Sequence, residues 1–183
     1  MRSRLTRFFT RVTASLCLLL AAACDPGAPE GTWRKIERPG FSFELPGKPE
    51  IKEESMDVGG VAIPQQSMDL YRGQEQFSVN VMDFSPLPNA LNVDAKGILD
   101  RMIEGGLKQS GGTASSDRSL SMPTGQSARE IVANITNPAP AQMIVRVIWD
   151  SPRAYLIAHT NRSGAADTPD GRKFIDSFQF TAK

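Results

Sequence analysis

The chain contains a single histidine, His159, and no other side chain is so suited to proton transfer near neutral pH. It lies in Tyr155-Leu-Ile-Ala-His-Thr160, whose alternation reads as the middle of a strand. The expected role is therefore a half-buried packing residue with a hydrogen-bonded ring, not a base beside a nucleophile. No Gly-x-Ser-x-Gly occurs, and no residue is assigned a catalytic role. Carboxylates near loops, at Asp94 to Asp100 and in Asp167-Thr-Pro-Asp170-Gly171, raise the question of a hard cation. They lack EF-hand spacing, and an acid at a helix start is accounted for by capping and the helix dipole. Glu53, Glu54 and Asp57 read as a solvated strand face. No cofactor or metal site follows from these residues.

The N-terminus carries the other reactive group. Arg2, Arg4, Arg7 and Arg11 precede an apolar run from about Val12 to Leu20, then Ala21-Ala22-Ala23-Cys24. A basic region, a short apolar region and small residues at a cut define a secretory signal over residues 1–23. The run is shorter than the roughly 20 residues that span a bilayer. Small residues followed at once by cysteine resemble the lipobox of bacterial lipoproteins, which implies cleavage between Ala23 and Cys24 and acylation of Cys24. Ala21 stands where the commonest pattern has leucine. Two other readings stay open: an organelle transit peptide, disfavoured because Leu16 to Ala23 is uniformly apolar, and a plain signal that leaves Cys24 as a free thiol.

Processing changes the remaining arithmetic. Cys17 leaves with the signal and Cys24 is taken by lipid, so the mature chain has no cysteine for a disulfide or, with one histidine, for structural zinc. Loss of four arginines leaves 17 basic against 20 acidic residues, a net charge of −3, which argues against nucleic acid as a partner. In a bacterial chain the Asn134-Ile-Thr136 and Asn161-Arg-Ser163 sequons carry no weight.

Stepping along the mature chain, residues 24–32 form a Pro/Gly-rich tether, and 33–183 one domain. Asp25 leans toward retention at the inner membrane. Strands are expected at Phe41–Leu45, at Ile51–Val58 and Val61–Tyr71 around a Gly59-Gly60 turn, and at Phe77–Phe84. A Pro-rich loop follows at Ser85 to Asn89. Ile98, Leu99, Met102, Ile103 and Leu107 form a helical stripe, capped by Asp94 and stopped by Gly111-Gly112. Gly105-Gly106 within it implies fraying or a close sheet contact. Strands near 117–122, 128–136, 143–149 and 154–160 follow, and Thr168-Pro169 opens a short helix to about Phe178. Pairing centred on Pro152 would set Val145 opposite His159 and Trp149 opposite Tyr155. Trp33, where tether meets domain, is expected to plug the open end of the core, with exposure to a partner as the alternative. The fold class is α+β: a curved antiparallel sheet of about six to eight strands with a longer helix near 94–110 and a short one near 168–178.

Five strings, Phe41-Ser-Phe-Glu-Leu-Pro-Gly-Lys-Pro49, Gln76-Phe-Ser-Val-Asn-Val-Met-Asp83, Gly125-Gln-Ser-Ala-Arg-Glu130, Arg153-Ala-Tyr-Leu-Ile157 and Lys173-Phe-Ile-Asp-Ser-Phe178, together resemble the PsbP-like group of small bacterial lipoproteins and domains. The resemblance covers about Trp33 to Lys183 and implies an α/β/α-type sandwich. Its members are accessory or interaction modules, among them a luminal assistant of the photosynthetic water-splitting complex, and it brings no catalytic motif. Photosynthetic work is not implied. The expectation is a membrane-anchored, non-enzymatic envelope lipoprotein that binds a protein partner or assists an assembly. A periplasmic domain binding a small molecule or ion in a cleft between sheet and helix is the alternative, and an enzyme of unrecognised type the third.

The lipid is directly testable. Mass spectrometry of the mature N-terminus should find acyl chains on Cys24, and Cys24→Ser should leave an uncleaved precursor. A mature chain with an unmodified thiol would refute the anchor.

Overall fold

A computed structural model describes residues 31–58, 60–87 and 94–181. The signal, the Ala23–Cys24 junction, Asp25, the tether up to residue 30, Gly59 and residues 88–93 lie outside the described residues.

The elements in order are β1 Arg34–Arg38, β2 Phe41–Leu45, β3 Glu50–Val58, β4 Val61–Arg72, β5 Glu75–Asp83, α1 Ala95–Ser110, β6 Thr113–Ser121, β7 Ser127–Ile135, β8 Ala141–Asp150, β9 Arg153–Asn161, α2 Pro169–Ser177 and β10 Gln179–Phe180. Seven strands form one sheet in the order β3-β4-β5-β9-β8-β7-β6, with every neighbouring pair antiparallel. Two meanders, β3–β5 and β6–β9, thus meet at the centre, where β5 pairs with β9. A second, small sheet has the order β1-β2-β10.

Helices cover both faces. α1 packs on β7 and β8 from one side, and α2 meets β2, β8 and β9 from the other. The central strands therefore bury both sets of alternating side chains. In β5, Phe77 and Val79 enter the core under α2, and Met82 enters the core under α1, as their spacing predicts. Phe41, Phe43 and Leu45 of β2 close the α2-side core against Phe174. Full burial of each such side chain contributes about 1.5–3 kcal/mol. Trp33 packs against this core edge-on to Phe77, with Lys173 over its ring, so it acts as the expected plug.

Both helix starts follow the sequence. Asp94 accepts from the main-chain N–H of Lys96 at 3.3 Å and of Gly97 at 2.8 Å, and Thr168 accepts from Gly171 at 3.0 Å. Gly111 ends α1 in a left-handed conformation, φ 57°. The helix runs through Gly105 and Gly106 without interruption, and neither touches the sheet, contrary to the expected fraying or close contact.

Two further differences have physical causes. Strands β1 and β10 escape the sequence pattern because β1 reads Arg-Lys-Ile-Glu-Arg and β10 has two residues, so both exist through main-chain pairing with β2. The β8–β9 turn holds two residues, not three: Asp150 pairs with Arg153, Ile148 with Tyr155, Arg146 with Ile157 and Ile144 with His159. The register is thus one residue from the expected one, which exchanges the faces of β8. His159 lies opposite Ile144 rather than Val145, and Val145, Val147 and Trp149 turn to the α1 side.

Two kinds of glycine should respond oppositely to alanine. A Cβ on Gly171 would strike His159 Nδ1 and fall within 2.5 Å of Ala166 O, whereas Gly105 and Gly106 face open space. Gly171→Ala should lower stability by about 1–3 kcal/mol. Gly105→Ala and Gly106→Ala should each raise it by about 0.5–1 kcal/mol. Urea denaturation midpoints check both signs.

Candidate interaction surface

His159 is fully buried. Its Nδ1–H donates to Ala166 O at 2.7 Å, and its ring lies 4.7 Å from that of Phe77. Nε2 stands 3.3 Å from Glu75 Oε1 but is not aligned for a hydrogen bond. Glu75 is held in turn by Arg72, which also donates to Asp170 at 2.6 Å. The ring is sealed beneath the first turn of α2 and serves to dock that helix.

A larger polar constellation escaped sequence reasoning. Glu130 of β7 is 2 % exposed and accepts from three arginines: Arg146 of β8 and Arg172 of α2 at 2.6 Å, and Arg118 of β6 at 2.5 Å. Arg146 also donates to Ile175 O at 3.1 Å and to Asp176 at 2.6 Å, and Arg172 pairs with Asp167. Burial alone would raise the Glu130 carboxyl, but hydrogen bonds from Arg172, Arg146 and Arg118 outweigh it and hold it at about 2. One signal was available: Arg146 interrupts an otherwise apolar strand, and such a residue needs an anion on its face.

The carboxylates considered for a cation are occupied. Asp94 caps α1, Asp100 pairs with Lys96 and Arg129, Asp167 with Arg172, and Asp170 with Arg72. Asn161 is buried, bonding Ala165 O and Ser163 within a turn, and Asn134 is exposed on β7.

What remains unclaimed by the core is the outer strand of the β3–β4 hairpin, since β4 sends Ile63 and Met68 into it. Every residue of β3 from Glu50 to Asp57 is exposed. β4 pairs with β5 only from Gln65 onward, so the tip of the hairpin outruns the third strand. On the α2 side a groove of about 640 Å³ runs along Glu53, Glu54 and Ser55 beneath Arg38 and Phe41. It adjoins a cleft of about 980 Å³ between the β1–β2 turn and the β8–β9 turn, where Asp83, Asp150, Arg153 and Tyr155 converge. The cleft thus lies between the two sheets, not between sheet and helix. Arg153 crosses its floor to Asp83 at 3.1 Å. Among the described residues no helix is long and apolar enough to cross a membrane.

No protein-family model matches the sequence, and no curated protein matches it either. Among solved structures the chain is similar to the solution structure of cyanobacterial PsbP (CyanoP) from Synechocystis sp., at 13 % identity over 82 % of this chain and 94 % of that one, with a TM-score of 0.52. It also overlaps a Pseudomonas aeruginosa protein of unknown function at 10 % identity over 61 % of this chain and 83 % of that one, with a TM-score of 0.42. The first likeness supports the PsbP-like fold that the five sequence strings imply.

The Glu130 network sets an acid limit on stability. Its carboxyl sits at about 2 in the folded chain against an ordinary 4.5, so its contribution is complete above about pH 4.5 and is lost as the pH falls toward 2. That contribution is on the order of 3 kcal/mol. Glu130→Gln should remove this acid limb and, by leaving three arginines without their anion, destabilise the domain at pH 7 by about 3–5 kcal/mol. Urea denaturation at pH 7 and pH 3 reads both effects; an unchanged acid limb in the variant would assign it to another carboxylate.

Proposed function

We propose that this chain is a lipid-anchored bacterial envelope protein whose PsbP-like domain is a non-catalytic docking module for a protein partner. The signal and lipobox-like run ending at Cys24 support the anchor, and the net charge of −3 after processing disfavours nucleic acid. The only histidine is enclosed by α2 and Phe77, where no substrate reaches it. The observation that carries the reading is the exposed outer strand of the β3–β4 hairpin, a nine-residue element that does little for the core. A small-molecule site is the second reading, favoured by the polar cleft at Asp83, Arg153 and Tyr155.

A photo-crosslinking residue at Met56, introduced into the full anchored chain, should give one discrete adduct in native membranes. The same residue at Lys108, on the outer surface of α1, should give none. Equal labelling at both positions, or none from any surface, would count against a docking module. A bare hairpin combined with a melting point raised by a small carboxylate or amine, and not raised in Arg153→Ala, would transfer the role to the cleft.

A further inference from the structure

We infer that the outer edge of β3 takes an extended, basic polypeptide segment as an added strand; this rests on the docking reading above and names the chemistry of the partner. A terminal strand offers main-chain N–H and C=O groups on alternate residues, and proteins ordinarily blunt such edges. In the seven-stranded sheet this domain does so at β6 and at the free end of β4. Edge strand β6 is broken by an irregularity between Ala114 and Ser116, and its Asp117 and Arg118 are drawn onto Arg129 and Glu130 of the next strand. Where β4 outruns β5, its bare edge carries Pro64, which has no N–H to offer. β3 has neither a bulge nor a proline, although its Glu53 accepts from Gln66 of β4: its register with β4 is continuous from Glu50↔Asp69 to Val58↔Val61. No described residue pairs with its other side.

Charge selects the occupant. β3 carries Glu50, Glu53, Glu54 and Asp57 against one lysine, Lys52. In the adjoining groove Asp83 is already paired with Arg153 and Arg38 lies beside it, so the charge that selects the occupant is that of β3 itself. Pairing with a second copy of this strand would bring like charges together, which is destabilising, whereas lysines and arginines on an incoming strand would meet these carboxylates. Ile51, 42 % exposed, and Met56, 39 % exposed, lie opposite Met68 and Ile63 and so point to opposite faces. Side chains of an added strand would cover both. An acidic edge also repels anionic headgroups, so it would stand clear of a lipid surface.

The full chain in detergent, titrated with a fluorescent ten-residue peptide of alternating lysine and valine, tests this by anisotropy and amide exchange. The peptide should bind, lose affinity as salt rises, and slow exchange at alternate amides of β3. Its glutamate–valine counterpart should bind at least about tenfold more weakly. Ser55 faces Pro64, so Ser55→Pro removes an N–H that β4 does not use, and should abolish binding with the unfolding midpoint unchanged. The doubly reversed Glu53→Lys, Glu54→Lys chain, a surface change, should lose about tenfold. The inference would be overturned by equal binding of both peptides, by binding insensitive to both variants, or by self-association of the full chain that Ser55→Pro abolishes. No peptide binding at all would also overturn it, yet would leave the docking reading standing wherever the Met56 adduct persists.

Discussion

One carboxylate holds four elements together. Glu130 sits on β7, and the guanidinium groups that reach it come from β6, β8 and α2. A buried ion is stable only if its partners satisfy it fully, and three arginines do so here by offering five hydrogen bonds to its two oxygens. Arg146 extends the connection by capping Ile175 O near the end of α2. The placement of that helix, and with it the burial of Phe174 and His159, depends on β7 and β8 standing in the register that brings Glu130 opposite Arg146.

That dependence explains what the sequence could and could not reveal. Hydrophobic period and caps located both helices and most strands, because Asp94, Thr168 and the alternation in Phe77–Phe84 act locally. The β8–β9 pairing was displaced by one residue because it turned on whether the link at Ser151-Pro152 holds two residues or three, a distinction the flanking apolar runs do not record. Strands β1 and β10 left no pattern, being recruited by β2 through main-chain bonds. The Glu130 cluster was hidden for a third reason: its members lie far apart in the chain and converge only once the sheet order is known.

The candidate surface was half legible. Glu53, Glu54 and Asp57 read as a solvated face in the sequence, and they are solvated. Nothing in the string Glu-Ile-Lys-Glu-Glu-Ser-Met-Asp-Val announces that it forms the terminal strand of a seven-stranded sheet. That follows from β2, the strand before it, pairing with β1 and β10 in the second sheet, and from no later described strand returning to β3. Beyond Ile63 and Met82, the α1 side of β4 and β5 carries polar side chains, with Gln65 bonded to Asn80 and Gln76 to Asp69, since α1 lies farther along over β7 and β8.

The meeting of β5 and β9 also bears on how the chain reaches its fold. Phe77 pairs with His159 across roughly 80 residues of sequence, so the middle of the sheet closes only by bringing distant segments together. During synthesis the first meander emerges with the apolar flank of β5 bare, and it stays so until the last full-length strand has followed. Such an intermediate invites wrong pairing more than it rewards early collapse. A chain of this topology gains from assembling once, with both halves present.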